Sequence, residues 1–451
     1  MKRKQVNKWL AGILTAGMLV ASLSGCSLQE KSDAKEEAPA AEATETPQEK
    51  TEEKGEEAKT ADSGLHEIYS LLPDLALTGL ISPDIADRTD VEKAWPKTPA
   101  DPAKLKIGWT EINQSSDFFI ALKDTAEEKA KEYGWELSFL IANDDPQTQS
   151  QHIDTFISQD VDIIVVDPVN SSAPIRDIER AIDAGIPVLC VGTEPEACGA
   201  ITTFCTNPFI DGFQAGEYTS KLYQADEDVL ATVIIGVMGS STSESRVCGQ
   251  ISGMLYGRME AKGTPYACVE DAYLDGYHLF QDLKTSGKGE NAGAGVKILG
   301  YGTGSWTVEG GLDAAEDLCT ANPDMNCLIA ENDFMAAGAI KALKSSNMME
   351  NVKVYAAADG TAEGLKLIQS GELVCTGLGS PVEEASYAMD FINAIFNEGK
   401  DCSNLPMSTA FNIGIITKDN VNDYYEEGNK FYKTSDFVYP KSIAEIREAN
   451  S

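Results

Sequence analysis

The stretch "VDIIVVDPVNSSAPIRDIERAIDAGIPVLCVGT", residues 161–193, decides the fold class. Its two ends are short, continuous apolar runs, and the part between them has the apolar spacing of a helix buried on one side. Apolar runs without alternation are typical of strands in a parallel sheet that helices cover on both faces. The stretch therefore predicts one strand–helix–strand unit of an α/β fold.

The same unit repeats along most of the chain. Strand-like runs occupy residues 104–112, 136–143, 161–169, 186–193, 229–239, 296–302, 325–333 and 352–360. Glycines that suit helix ends follow four of the helix-like stretches, at Gly134, Gly185, Gly263 and Gly371. About 310 residues are too many for one core of this kind, so the sequence predicts two doubly wound parallel-sheet lobes.

The N-terminus has the features of an export signal. A basic start, "MKRKQVNK", precedes an apolar run that is too short for a permanent membrane span. The run ends in "LSGC", with the cysteine at Cys26, and these four residues resemble the lipobox of bacterial lipoproteins. The resemblance implies that residues 1–25 are a lipoprotein signal peptide and that a lipid on Cys26 is the only membrane contact.

Two further segments precede the repeating units. Residues 26–63 are predicted to be the lipidated cysteine and a disordered acidic tether, because residues 27–63 hold 12 acidic and 5 basic residues and no aromatic. Residues 64–103 contain "LHEIYSLLPDLALTGLI", which predicts a helical N-terminal extension packed on a lobe. A role of this extension in docking a partner is the alternative.

Composition and motifs narrow the class of function. The net charge is −36 and lies mostly beyond the tether, which argues against nucleic acid and anionic lipid as partners. The three histidines are far apart, no HExxH or GxSxG motif occurs, and the glycine-rich "GYGTGSW" is not GxGxxG. We therefore expect no catalysis, no metal site and no cofactor.

The cysteines do not form a recognisable disulfide framework. Nine remain beyond Cys26, an odd number without any CxxC spacing. Most of them are predicted to be small core residues, and a single surface disulfide stays open.

The segment "NQSSDFFIALKD", residues 113–124, follows the first predicted strand. In open α/β sheets, ligands bind beyond the carboxyl ends of the strands, and this segment begins the first helix at such an end. We expect one of Phe118 and Phe119 to pack inward and the other to face a ligand; a core position for both is the alternative. The candidates for the helix cap are Ser115, Ser116 and Asp117.

Other predicted strands also end in polar or aromatic residues. These are Asp167, Thr193, Glu194, Arg246, Trp306, Asn332, Asp333 and Asp359. Aromatic faces stack on the C–H faces of a polyol ring, while amide, carboxylate and guanidinium groups pair with its hydroxyls. Because several such residues lie at one end of two sheets, the pattern predicts a polyol-binding site there.

Six segments occur together in an order and spacing that a known family shares. They are "SSDFFIALKDTAEEKAKEYG", "DIIVVDP", "AGIPVLCVG", "SESRVCG", "TANPDMNCLIAENDFMAAGAIKAL" and "AAADGTAEGLKLIQSGEL". On these segments, the chain from about residue 104 to residue 417 resembles the periplasmic sugar-binding proteins of the ribose/galactose type, the solute receptors of ABC importers. The resemblance implies a type I periplasmic binding protein fold, in which a three-crossing hinge joins the two lobes. The implied ranges are 104–206 and 380–412 for the first lobe, 207–379 and 413–451 for the second, and 206–208, 379–381 and 412–414 for the crossings.

The resemblance also implies roles for individual side chains. Phe118 and Phe119 match the paired aromatics that stack on the sugar, and Trp306 matches the aromatic of the opposite lobe. The matched hydrogen-bonding positions are Asp167, Arg246, Asn332 and Asp359.

The first lobe departs from the pattern of the family. Ser116 replaces a usual Asn or Asp, Gly192 and Thr193 replace the Asp-Arg of ribose binders, and Gly379 replaces Gln. These departures argue against ribose itself and leave room for a larger ligand. The candidate substitute partners are Glu111, Gln114 and Glu194.

The resemblance implies an exported receptor, held by lipid at the outer face of the cell membrane. It would bind a pentose or hexose between the lobes as a monomer and deliver it to the permease subunits of an ABC importer. A sensor that presents the sugar to a membrane chemoreceptor or a histidine kinase is the alternative, because it would use the same cleft. A repressor is disfavoured, because it would need a helix-turn-helix in place of the export signal.

Overall fold

Parallel strands alternate with helices through the first part of the described chain. The computed structural model describes residues 101–195, 198–411 and 413–445. The predicted signal peptide, the tether and residues 64–100 of the predicted extension lie outside the described residues. At the end of that extension, Pro102–Lys104 form a short 3-10 helix.

The first set of elements builds a six-stranded sheet. Its members in chain order are β1 (Lys106–Glu111), α1 (Asp117–Tyr133), β2 (Glu136–Ile141), α2 (Pro146–Gln159), β3 (Ile163–Val166), α3 (Ile175–Asp183), β4 (Val188–Val191) and β5 (Thr203–Cys205). A later strand, β12 (Ser408–Ala410), completes the sheet in the order β12-β5-β4-β3-β1-β2, and every pair is parallel. The predicted α/β alternation is confirmed.

The second set of elements builds a five-stranded sheet. It comprises α4 (Pro208–Ser220), β6 (Val229–Ile235), α5 (Ser241–Ala261), α6 (Val269–Ser286), β7 (Gly289–Asn291), β8 (Val296–Thr303), α7 (Val308–Ala321), β9 (Cys327–Ala330), α8 (Asp333–Ser345), β10 (Lys353–Tyr355), α9 (Ala362–Ser370) and β11 (Cys375–Gly377). The strand order is β10-β9-β6-β8-β7, and only the β7–β8 pair of this sheet is antiparallel.

The chain then returns to the first sheet and leaves it again. The elements are α10 (Pro381–Phe396), β12 (Ser408–Ala410), β13 (Ile415–Thr417) and α11 (Val421–Tyr424). Strand β13 pairs antiparallel with β11 beside the second sheet. The chain thus passes between the sheets after β5, after β11 and after β12, at the three positions that the resemblance implies.

Strand β3 shows why its sequence is apolar throughout. Ile163 and Val165 lie in a core cluster with residues of α1 and α10, whereas Ile164 and Val166 lie in a second cluster with residues of α2 and α3. All four side chains are fully buried. Helices therefore cover both faces of the sheet, which is the arrangement that the uninterrupted apolar run predicts.

Glycines in the left-handed backbone conformation follow helices at the positions that the sequence predicts. The four glycines predicted at helix ends all adopt positive φ, between 75° and 83°: Gly134, Gly185, Gly263 and Gly371. At helix starts, Asp145 accepts hydrogen bonds from the backbone N–H groups of Gln147 and Thr148, and Thr361 accepts one from that of Gly364. These caps satisfy backbone donors that the first turn of a helix leaves free.

Helices α4 and α5 approach so closely that only glycine fits between them. A Cβ at Gly212 or Gly216 of α4, or at Gly249 or Gly253 of α5, would overlap backbone atoms of the opposite helix. This contact fixes the position of α5. Because α5 also carries Arg246, the glycines position a residue of the predicted site.

We expect Gly253→Ala to lower the free energy of unfolding by about 1–3 kcal/mol, because the helices must separate to admit the methyl group. Gly300→Ala is the matched control, since a Cβ there would have its nearest neighbour at 3.5 Å. Urea denaturation of the two variants measures the difference. Equal stabilities would show that the helix contact tolerates the added methyl group.

Residues 437–445 pack on the first lobe, whereas the sequence-based assignment places residues 413–451 in the second lobe. The rings of Phe437 and Tyr439 pack against the core of the first sheet, and the ring of Tyr439 stacks on that of Phe391 at 5.6 Å between centroids. The backbone N–H of Ile443 donates to the carbonyl oxygen of Asn404 at 2.9 Å. The segment runs back to the first lobe because the apolar surface beside α10 buries its aromatic rings.

The nine cysteines beyond Cys26 all lie within the described residues, and each carries a thiol that is not part of a disulfide. Seven of them are buried, which confirms that most are core residues. No disulfide joins any of these nine. Among the described helices, none is both long and apolar enough to cross a membrane.

Candidate ligand-binding cleft

A cavity lies between the two sheets at the carboxyl ends of their strands. About 580 Å³ of space between its walls is not filled by protein atoms, and part of that space is open to solvent. Nine of the residues that the sequence predicts at the site line it: Ser116, Phe118, Phe119, Asp167, Thr193, Arg246, Trp306, Asn332 and Asp359. Other lining residues include Gly192, Thr242 and Glu384.

Both phenylalanines of the first helix line the cavity, whereas the sequence analysis expected one of them to pack inward. Their rings meet edge to face at 5.4 Å between centroids. Phe118 also packs against the core of the first sheet, so it serves both environments. Ser116 occupies the N-cap position of α1, but its side chain makes no capping hydrogen bond. A buried hydroxyl oxygen without a partner among the described residues is thus left beside the cavity.

Phe431, which follows α11 in the chain, packs against an aromatic ring of the cavity wall. Phe431 meets Phe118 of the first lobe and Phe334 of the second, each edge to face at 6.4 Å between centroids. Phe431 was not predicted from the sequence, because it does not follow a predicted strand.

Trp306 is held in place by backbone geometry and by one hydrogen bond. It adopts φ of 55°, next to Ser305 at 49°, a conformation that bulky residues rarely adopt. Its indole Nε1 donates to Glu331 Oε1 at 2.7 Å. A Cβ at Gly236 would overlap the indole ring, so glycine is required there for Trp306 to reach the cavity.

Four polar residues of the second lobe form two buried pairs. The side-chain amide of Asn332 donates to Asp359 Oδ2 at 2.7 Å, and Asn332 Oδ1 accepts from the backbone N–H of Met335. Arg246 Nη1 lies 3.3 Å from Glu331 Oε1. Burial raises the pKa of Asp359 to about 7, although the positive charge of Arg246 opposes this rise. Glu331 was not predicted, and it orients both Arg246 and Trp306.

The polar groups of the first lobe centre on Asp167. The backbone N–H of Thr193 donates to Asp167 Oδ1 at 3.1 Å. A Cβ at Gly192 would lie 2.9 Å from Asp167 Oδ2, and φ at Gly192 is 65°, so the glycine that departs from the family pattern admits this carboxyl. Burial raises the pKa of Asp167 and that of Glu111, and the charge of Glu111 raises the pKa of Asp167 further.

Glu384 also lines the cavity, although the sequence did not predict it. It lies in the first turn of α10, just after the second crossing, and is 6% exposed. Its Oε1 has no hydrogen-bond partner among the described residues. Burial, followed by the charge of Glu111, raises its pKa well above the usual range. The three predicted substitute partners, Glu111, Gln114 and Glu194, do not line the cavity.

The two lobes touch across the cavity. Thr242 Oγ1 of the second lobe donates to the carbonyl oxygen of Gly192 of the first lobe at 2.9 Å. The described conformation is therefore a closed one. Within the described residues, no group of three or more His, Cys, Asp or Glu side chains is arranged to hold a metal ion.

Known proteins share this sequence pattern and this architecture. The profile of the periplasmic binding protein domain family matches residues 107–401. The chain is 23% identical to the ribose import binding protein of Salmonella typhimurium over 274 residues, which are 61% of this chain and 79% of the relative. It is 25% identical to the xylitol-binding protein of Mycolicibacterium smegmatis over 325 residues, which are 72% of this chain and 80% of the relative.

Solved structures share the fold at lower identity. A galactofuranose-binding protein matches with a TM-score of 0.57 and 19% identity, over 71% of this chain and 96% of that chain. A solute-binding protein from Bacillus halodurans, solved with bound myo-inositol, matches with a TM-score of 0.57 and 20% identity, over 72% of this chain and 98% of that chain.

Proposed function

Because the chain belongs to the periplasmic binding protein domain family, we propose that it is an extracytoplasmic receptor that binds a pentose or hexose and delivers it to an ABC importer. The observation that carries this proposal is the composition of the cavity wall. Aromatic rings of both lobes enclose a space whose other sides present buried carboxyl, amide and guanidinium groups. A sugar ring has two apolar C–H faces and a rim of hydroxyls, which such a wall complements.

In this proposal each lobe supplies one half of the site. Phe118 and Phe119 stack on one face of the ring, and Trp306 stacks on the other. The hydrogen-bonding residues are Ser116, Asp167 and Thr193 in the first lobe and Arg246, Asn332 and Asp359 in the second.

Function then lies in closure rather than in catalysis. A ligand that touches both lobes favours the closed state, because only that state presents both halves of the site together. The contact between Thr242 and Gly192 is available only in that state. The permease subunits would recognise the closed form, and the receptor would act as a monomer without a cofactor.

A melting-temperature screen tests the proposed class of ligand. Residues 64–451 are purified and heated with individual pentoses, hexoses and polyols. A ligand that binds only the folded state raises the melting temperature by mass action. We expect at least one of these compounds to raise it in a concentration-dependent way. A flat response to every sugar and polyol, with a rise for an amino acid or a nucleoside, would contradict the proposal.

The lipid anchor is part of the same proposal, and Cys26 lies outside the described residues. We expect Cys26→Ser to move the protein from the membrane fraction to the soluble fraction, because the thiol that takes the lipid is lost. Sugar affinity should not change. Fractionation of cells that express either form, followed by immunoblotting, measures the shift. Retention of the variant in the membrane fraction would contradict the anchor.

A further inference from the structure

The cavity wall holds more carboxyl groups than basic groups. The carboxyls of Asp167, Asp359 and Glu384 line it. Those of Glu111 and Glu331 lie behind this wall, fully buried. Arg246 is the only lysine or arginine among the described lining residues.

The charge of Arg246 is already engaged by one of these carboxylates. Its Nη1 contacts Glu331 Oε1 at 3.3 Å, and Glu331 is fully buried. The ion pair is therefore neutral as a unit. Glu331 also accepts hydrogen bonds from Trp306 Nε1 and from the Ser243 hydroxyl, so it is satisfied within the protein.

The carboxyls that remain differ in how well the protein satisfies them. Asp359 accepts a hydrogen bond from the Asn332 amide. Asp167 accepts one from the backbone N–H of Thr193. Glu384 is less well satisfied, because its Oε1 lacks a hydrogen-bond partner among the described residues and the charges of Glu111 and Asp359 oppose its ionisation, although the charge of Arg246 favours it. A buried carboxyl of this kind is stable only if it is protonated or if a cation approaches it.

We propose that the ligand carries a positively charged amino group that contacts Glu384, so that its chemical class is an amino sugar or an amino polyol. The hydroxyls of such a ligand use the aromatic and polar walls already described, and its ammonium group offers a donor to Glu384 Oε1, which has no hydrogen-bond partner among the described residues. This inference rests on the proposed function, and it narrows the substrate class of the same site.

Matched pairs of compounds test the inference. The full chain, solubilised in detergent, is titrated calorimetrically at pH 6.5 with D-glucamine and with D-sorbitol, and likewise with D-glucosamine, D-glucose and N-acetyl-D-glucosamine. We expect the amine of at least one pair to bind at least tenfold more tightly than its neutral counterpart. N-acetylation removes the charge and should remove the preference.

Glu384→Gln tests the residue directly. We expect this variant to reduce the ratio of amine affinity to neutral affinity at least tenfold, whereas Glu316→Gln, an exposed change on α7, should leave the ratio unchanged. The selectivity of the parent protein decides the question even if Glu384→Gln does not fold.

The outcomes separate the inference from the proposed function. If neutral sugars bind as tightly as their amines, the inference is overturned and the proposed function stands. If 1,6-diaminohexane binds as tightly as D-glucamine, charge alone suffices and the sugar class is overturned. If no sugar or polyol binds, with or without an amine, both are overturned.

Discussion

Asp359→Asn should weaken binding of the sugar that the screen identifies by about 30- to 1,000-fold, a loss of about 2–4 kcal/mol. Asp359 is buried, receives a hydrogen bond from Asn332 and lines the cavity. Losing its carboxylate removes an acceptor for ring hydroxyls. Asparagine is preferred to alanine for this test, because φ at Asp359 is 88° and asparagine tolerates positive φ better.

Trp306→Ala should produce a comparable loss, because it removes the aromatic face of the second lobe. The indole also packs against the second core and donates to Glu331, so this change should lower stability as well. Affinity is therefore measured by isothermal titration calorimetry, and folding is checked separately by urea denaturation.

Asp313→Asn, an exposed change on α7, is the matched control for the aspartate variant. It should leave the affinity unchanged. If both Asp359→Asn and Trp306→Ala bind the sugar as tightly as the parent, the cavity is not the binding site.

The unliganded protein should be more stable at pH 5 than at pH 8. The pKa of Asp359 is about 7 in the folded protein, against about 3.9 in an unfolded chain. Between these values the folded state holds a proton that the unfolded state has lost, so stability falls as pH rises. From pH 5 to pH 8, Asp359 alone should lower the free energy of unfolding by about 2–3 kcal/mol.

Other buried carboxyls act in the same direction. Burial raises the pKa values of Glu111, Asp167, Asp333 and Glu384. His152 acts in the opposite direction, because burial lowers its pKa.

Urea denaturation at pH 5 and at pH 8, without ligand, measures the combined effect of these groups on the free energy of unfolding. Asp359→Asn should show a smaller difference between them than the parent does. Equal stability at both pH values, or greater stability at pH 8, would show that these carboxyls are ionised in the folded state.

The sequence predicted the architecture because each continuous apolar run indicates, without its neighbours, a strand of a covered parallel sheet. A strand that is apolar at every position needs cover on both faces, and β3 has it. Helix α4 was not predicted. Helix α5 and neighbouring strands bury most of it, so its sequence lacks the polar face that would indicate helical spacing. The path of residues 431–445 was missed because the packing of Phe437 and Tyr439 depends on the three-dimensional surface beside α10.

Most of the site was also predictable from local sequence, whereas residues away from strand ends and contacts between distant residues were not. The rule that ligands bind at strand ends depends only on local order along the chain, and most of the residues that it selected line the cavity, whereas Glu194 and Asp333 do not. Glu384 begins a helix rather than ending a strand, so that rule cannot find it. The pairing of Arg246 with Glu331 depends on side chains 85 positions apart, which no local pattern encodes.

A crystal structure of the protein with the best compound from the screen tests the central claim most directly. We expect a single ring in the cavity, between Phe118 and Trp306, with hydroxyls hydrogen-bonded to Asp359 and Asn332. Density for the compound outside the cleft, with only water between the two lobes, would contradict the account.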